Sequence, residues 1–165
     1  MLSAPQPLAD HHHIADFDSD EPSLDHWLKR RAAKNQTNGS SRTYVVCEGE
    51  TVIGYYCLAA GAIGHTEAPP QMKRNRPDPV PVLLMGRLAI HKDHHQKGIG
   101  TALLNDAIRR AVQAAEIAGV TALLVHAISE QARRFYLSRG FVESPIKAMT
   151  LCLMLATVER ALRQG

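Results

Sequence analysis

Apolar positions recur along the chain with two periods, and the change from one to the other marks out the elements. After Pro22, Leu24, Trp27, Leu28 and Ala32 fall at helical spacing within "SLDHWLKRRAAKNQ", and the polar run "NQTNGSS" closes that helix. "RTYVVCE" and "TVIGYYCLAAGAI", joined by Gly49 and Glu50, predict an antiparallel hairpin. The proline-rich, basic stretch "HTEAPPQMKRNRPDPVP" predicts a long exposed loop. "VLLMGRLAIH" is a nearly continuous apolar run, as a buried central strand requires, with a bulge expected near its glycine, Gly86. From Gly98, helical period returns at Ile99, Leu103, Leu104, Ala107, Ile108, Ala111, Val112 and Ala115, until Gly119 stops it. "TALLVHAI" predicts another buried strand. "SEQARRFYLSR" predicts a short helix capped by Ser129 and ended at Gly140. "AMTLCLML" gives a last strand before a terminal helix, and no internal repeat is present.

At 165 residues, 45% hydrophobic and 21% charged, the chain has the size and composition of one globular domain, taken as residues 1–165. No apolar run approaches the ~20 residues of a membrane span, and the N-terminus lacks a basic start followed by an apolar stretch. A soluble, cytoplasmic protein without membrane contact is expected. Cys47, Cys57 and Cys152 are odd in number and widely spaced, which predicts buried thiols rather than disulfides or a metal site. His11, His12 and His13, adjacent in a terminal segment expected to be flexible, do not make a closed metal site, so no metal is expected. His126, in a strand that reads as buried, is expected to be a hydrogen-bonded core histidine.

The net charge of +3 names no partner, but its distribution is uneven. Lys29, Arg30, Arg31 and Lys34 lie in one run without an acidic residue, and Lys73, Arg74 and Arg76 in another. Such runs are either solvated faces or a surface for a polyanion. Arg87 stands in a strand that otherwise reads as buried, where an arginine needs a partner: a phosphate, or a carboxylate from a dimer mate.

The order strand, "HHQKGIGTALL", helix, strand is a βαβ unit with Gly98 and Gly100 at its first turn. Glycine lets the backbone approach a ligand, and the first N–H groups of a helix have no intrahelical partners. Together they form an anion site. The spacing is neither that of the Walker phosphate loop nor of the longer dinucleotide fingerprint.

With its neighbours the segment resembles the acetyl-CoA site of the GCN5-related N-acetyltransferases, in which a strand lends backbone groups to the pantetheine arm and a [Q/R]-x-x-G-x-[G/A] loop binds the pyrophosphate. The resemblance assigns Leu88, Ala89 and Ile90 to the strand's part. It assigns His95, Gln96, Lys97, Gly98, Ile99 and Gly100 to the loop, with Thr101 just behind it. His95 departs from the Gln or Arg of the pattern. A neutral imidazole retains one N–H to donate, so weaker or pH-dependent pyrophosphate binding is expected. "LLVHAISEQARRFYLSRGF" is similar to the family's later segment, which implies a functional Tyr136 and places Ser129 and Phe135 beside the cofactor. The implied fold is α/β (α+β), a mixed, mostly antiparallel twisted sheet flanked by helices.

From about Ile14 to Leu155, with the "LDHWL" region making the likeness more specific than the loop does, the chain also resembles the tRNA-acetylating toxins of bacterial toxin–antitoxin pairs. The resemblance implies acetyl transfer from acetyl-CoA to the α-amine of an aminoacyl-tRNA, inhibition of translation, a homodimer, and neutralisation by a ribbon-helix-helix antitoxin. Such chemistry needs a neutral amine, a polarised thioester and a proton for the departing thiolate. Tyr136, a phenol of ordinary pKa ~10, is the expected general acid. No acidic residue stands out as base, which favours an aminoacyl ester, whose amine is weakly basic, over a lysine. On this reading the seven basic residues of the two runs, and Arg87, face the RNA. Two alternatives remain open: an N-acetyltransferase of a small-molecule amine or protein N-terminus, and a non-catalytic module of the same fold that binds nucleic acid or a partner.

Overall fold

The computed structural model describes residues 1–164, and the elements follow the polarity pattern closely. A two-residue strand β1 (Gln6–Pro7) precedes a helical segment made of α1 (Pro22–Trp27), a π-helical turn (Leu28–Ala32) and α2 (Ala33–Asn38). Proline in its first turn starts that segment, and Gly39, left-handed at φ +79°, ends it. The hairpin follows as β2 (Arg42–Glu48) and β3 (Thr51–Ile63), then β4 (Val80–Ile90), α3 (Ile99–Ala118) and β5 (Ala122–His126). The chain finishes with α4 (Glu130–Ser138), β6 (Val142–Glu143), β7 (Thr150–Met154) and α5 (Leu155–Gln164). The strands hydrogen-bond in the order β1-β2-β3-β4-β5-β7-β6. The β4–β5 pair is parallel, while β1–β2, β2–β3, β5–β7 and β6–β7 are antiparallel. This is the expected mixed, mostly antiparallel sheet.

Contacts divide the chain into two compact units, and β3, β4 and α3 each run from one into the other. The first unit comprises residues 1–59 and 86–107. Its core gathers Leu8, Phe17, Leu24, Trp27, Leu28, Val45, Val52, Tyr55 and Ala89. The buried Tyr55 hydroxyl donates to the Leu24 carbonyl at 2.6 Å, tying β3 to α1. The N-terminal segment is docked rather than loose. β1 pairs with β2, His13 bridges to Thr51, and His12 is buried with its Nδ1 accepting from the Ala9 N–H. Two turns of α3 approach β3 at Gly54, where a Cβ would lie 3.1 Å from both the Leu103 and Ile90 side chains. Glycine is required there by proximity. Gly86 has a similar reason, since a Cβ would come within 3.3 Å of the Cys57 sulfur. Within the β2–β3 pair a register shift lies at Val46/Cys47.

The second unit comprises residues 60–85 and 108–164 of the described chain. Its core holds Ile63, Met72, Val80, Val82, Ala122, Leu124 and Cys152. The proline-rich stretch is therefore not the wholly exposed loop that its composition suggests. Ala68 and Met72 are fully buried, and β4 already begins at Val80. One methionine and one alanine anchor the stretch, while Arg74 stays exposed and Lys73 and Arg76 half-buried.

Candidate active site

In the first unit, β4 is carried straight into the glycine turn. The His91 N–H donates to the Ile53 carbonyl at 2.8 Å, and a single 3-10 turn spans Lys92–His94. Lys92 fastens the turn twice to Asp18, through its N–H to the carbonyl at 2.8 Å and through Nζ to Oδ2 at 3.1 Å. Gln96 and Gly98 then adopt left-handed backbone conformations, at φ +63° and +80°. They curl the chain into the first turn of the 20-residue α3, whose first residues are Ile99, Gly100 and Thr101. No heavy atom lies within 4 Å of where a Cβ would stand on Gly98 or on Gly100, so the turn opens onto free space. The first N–H groups of a long helix favour an anion, and a Cβ added to either glycine would meet no neighbour.

His95 behaves differently from expectation. Its Nε2 lies 2.7 Å from the Ile90 carbonyl oxygen. A carbonyl can only accept, so Nε2 carries the proton and Nδ1 of the neutral ring has only a lone pair. The N–H expected to face a phosphate is engaged in bracing the loop against the end of β4. Leu88 and Ile90 are half-buried on that strand end and Ala89 is buried, while Gln96 and Lys97 are exposed.

In the second unit, Ser129 caps α4, its hydroxyl accepting from the Ala132 N–H at 3.0 Å. Tyr136, near the other end of α4, is buried between Phe135 and Phe141, each ring centroid 5.3 Å away. Burial pushes its phenol up to about 12. Its hydroxyl makes no hydrogen bond with any described residue, so the proton is held and free to be given. Phe135 is half-buried under the Arg139 guanidinium, 5.3 Å from its ring. The acidic residues around α4 are tied up in ion pairs. Glu143 takes a two-pronged bond from Arg133, at 2.8 Å for each arm, and accepts from the Met149 N–H. These partners hold the Glu143 carboxyl down to about 2. Glu130 bridges Arg133 and Arg134 at 3.0 and 3.3 Å. His126 is exposed rather than core, because it is the last residue of β5, although its Nδ1 does lie 3.1 Å from the Thr150 hydroxyl.

The basic residues separate along the same division. Lys29, Arg30, Arg31 and Lys34 are all exposed on the helical segment of the first unit, and none makes an ion pair with a described residue. Three of them sit in the π turn, whose widened backbone keeps Leu28 and Ala32 fully buried. Lys73, Arg74 and Arg76 belong to the second unit. Arg87 is half-buried, and its guanidinium lies 4.4 Å over the Trp27 ring instead of against a carboxylate. The three cysteines are buried and free, and burial raises each thiol, Cys152 to about 12, so they are poor nucleophiles. No group of three metal-ligating side chains occurs among the described residues.

Comparison with known proteins bears directly on these features. Residues 39–143 match the family model described as the acetyltransferase (GNAT) domain. The chain is 44% identical over 153 residues to a tRNA-acetylating toxin of Mycobacterium tuberculosis (strain H37Rv), covering 93% of this chain and 92% of that one. Among solved structures it is similar to AtaT complexed with acetyl-methionyl-tRNAfMet, with a TM-score of 0.90, 25% identity, and 98% and 99% of the two chains covered. It is also similar to a tyrosine-to-phenylalanine mutant of the AtaT toxin bound to the C-terminus of the antitoxin AtaR and acetyl-CoA, with a TM-score of 0.82, 25% identity and 98% of each chain covered.

Proposed function

The chain belongs to the GNAT acetyltransferase family, and we propose that, like its 44%-identical relative, a tRNA-acetylating toxin, it acetylates tRNA: it transfers acetyl from acetyl-CoA to the α-amine of an aminoacyl-tRNA and so blocks translation. The observation that carries the acceptor is the unpaired basic face at Lys29–Lys34, on a chain alike over 93% of its length to a tRNA-acetylating toxin. Dense phosphate is the ligand that rewards such a face, through contacts that weaken with salt.

The donor is held by backbone. The edge of β4 at Leu88, Ala89 and Ile90 offers the pantetheine arm its peptide groups, and Gln96–Thr101 turn N–H groups toward the pyrophosphate. His95 keeps that turn in place from behind. Ser129 and Phe135, at the cap and on the flank of α4, complete the set assigned to the cofactor. The neutral amine attacks the thioester carbonyl, the C–S bond breaks, and the departing sulfur takes the Tyr136 proton. The phenolate left behind recovers a proton from the newly acylated nitrogen. A phenol raised to about 12 stays protonated through the neutral range, which suits a donor and excludes a base. With the carboxylates of α4 in ion pairs, the amine must arrive largely neutral, and an aminoacyl ester supplies such an amine.

Lys73, Arg74 and Arg76 extend the RNA footprint, and Arg87 joins it as argued below. The protein acts in the cytoplasm as a homodimer, restrained by an antitoxin of the ribbon-helix-helix class. No helix among the described residues is long and apolar enough to cross a membrane. Induced expression tests the reading. Wild type should arrest growth and move label from acetyl-CoA into the RNA fraction, and Tyr136→Phe at equal expression should do neither. Label that enters only small amines, unaffected by salt, would replace this reading with a small-molecule acetyltransferase.

A further inference from the structure

Arg87 is placed unlike the other basic residues. Those of the two basic runs lie on the helical segment and in the proline-rich stretch, whereas Arg87 projects from β4 on the face of Ala89, into the side of the first unit that packs against α1. Its guanidinium stands 4.4 Å above the Trp27 ring and beside the Cys57 thiol. No carboxylate of a described residue pairs with it. A guanidinium held over an indole ring keeps N–H donors for other partners, and the Cys57 thiol draws on part of that capacity. The contact with the indole ring and the half-buried position restrict the side chain before any ligand arrives. This is an arginine prepared for a planar, two-pronged contact with an oxyanion.

Its place in the chain limits which oxyanion. Arg87 directly precedes Leu88–Ile90 in β4, the stretch assigned above to the acetyl donor, so an oxyanion carried by the acceptor close to its reacting end is the ligand that suits this position. The aminoacyl carboxyl is esterified and carries no charge. The nearest anion on the acceptor is then the last internucleotide phosphate, one ribose from the ester. Resting on the reaction proposed above, we infer that Arg87 grips this 3′-terminal phosphate of the aminoacyl-RNA and so sets the position of the amine, making Arg87 a determinant of RNA-borne over free aminoacyl acceptors.

The inference predicts coupling between one side chain and one phosphate. A short aminoacyl-RNA hairpin is prepared with its last linkage either natural or as an uncharged methylphosphonate, and kcat/KM is measured for the wild type and Arg87→Gln. The wild type should lose about 10- to 100-fold on the neutral linkage, the range expected for a charged hydrogen bond. Arg87→Gln should lose as much on the natural RNA and be nearly indifferent to the linkage. Acetyl-CoA affinity should not change in either case. Arg87→Lys, which keeps the charge without the fork, should retain part of the preference and serves if the glutamine variant fails to bind acetyl-CoA. Wild-type indifference to the linkage, or additive losses in the cycle, would overturn the inference. So would an Arg87→Gln variant that acetylates natural RNA normally and has lost only its protein antitoxin. Failure of the wild type to acetylate either RNA would instead remove the reaction on which the inference rests.

Discussion

Replacing Gly98 with asparagine separates the two demands that the structure makes at that position. The backbone there is left-handed, at φ +80°, and no heavy atom lies within 4 Å of where a Cβ would stand. Left-handed geometry costs an ordinary L-residue roughly 1–2 kcal/mol, but asparagine visits it routinely, so the folded state should lose under about 1 kcal/mol. The added side chain fills the space over the turn instead. If a pyrophosphate occupies that space, displacing it from two backbone N–H groups removes two charged hydrogen bonds, worth about 1.5–3 kcal/mol each. A total of about 3–6 kcal/mol corresponds to roughly a hundred- to ten-thousand-fold in affinity. Gly49→Asn is the matched control, since Gly49 is left-handed at φ +62° with equally open surroundings but lies in the β2–β3 turn. Calorimetric titration with acetyl-CoA and thermal melts should show both variants folded and only Gly98→Asn unable to bind. Equal, near wild-type affinity in the two variants would refute the phosphate-cradle reasoning.

Three further outcomes are expected. Tyr136→Phe should lower kcat by about 10²–10⁴-fold, the usual worth of a general acid, with acetyl-CoA affinity unchanged. Because the phenol is pushed up to about 12, rapid-quench rates of the wild type should show no descending limb below about pH 10. Glu143→Gln should lower the melting temperature at pH 7. A carboxyl held down to about 2 stabilises the fold above the ordinary carboxylate range and loses that contribution as pH falls toward 2, so the gap from wild type should close over that interval. A gap that persists at pH 2 would assign the effect to packing. Replacing Lys29, Arg30 and Lys34 together by alanine should weaken RNA binding and reduce the slope of log K against log salt by about 2–3, and an unchanged slope would remove the helical segment from the footprint.

Much of this architecture is legible in the sequence because it rests on period. Of the residues read as one apolar stripe, Ile99, Leu103, Leu104, Ala107, Ala111 and Val112 are buried and Ile108 and Ala115 half-buried, and Ser129 caps α4 as its position suggests. What escapes the pattern has no apolar signature. β1 is held by backbone bonds over two residues, one of them proline, and the docked histidine segment follows from such bonds rather than from hydrophobicity. The π turn leaves the spacing of Leu24, Trp27, Leu28 and Ala32 intact, so it is silent at that level. Asp106 is buried on α3 because the Tyr56 hydroxyl meets it at 2.5 Å, a pairing across fifty residues. Within the site, the glycines announce the turn, but the bond from His95 to Ile90 and the seat of Arg87 on Trp27 depend on three-dimensional contacts alone. Gly54 did carry a signal, a glycine inside a strand, which marks close approach of another element.

The most direct test of the central claim is chemical identification of the product. Purified protein is incubated with labelled acetyl-CoA and total charged tRNA, the RNA is digested with nuclease, and the released aminoacyl-adenosines are analysed by mass. The account predicts N-acetylated aminoacyl-adenosine, which would also name the preferred amino acid. Aminoacyl-adenosines that remain unacetylated, with acetyl-CoA binding verified on the same preparation, would contradict it.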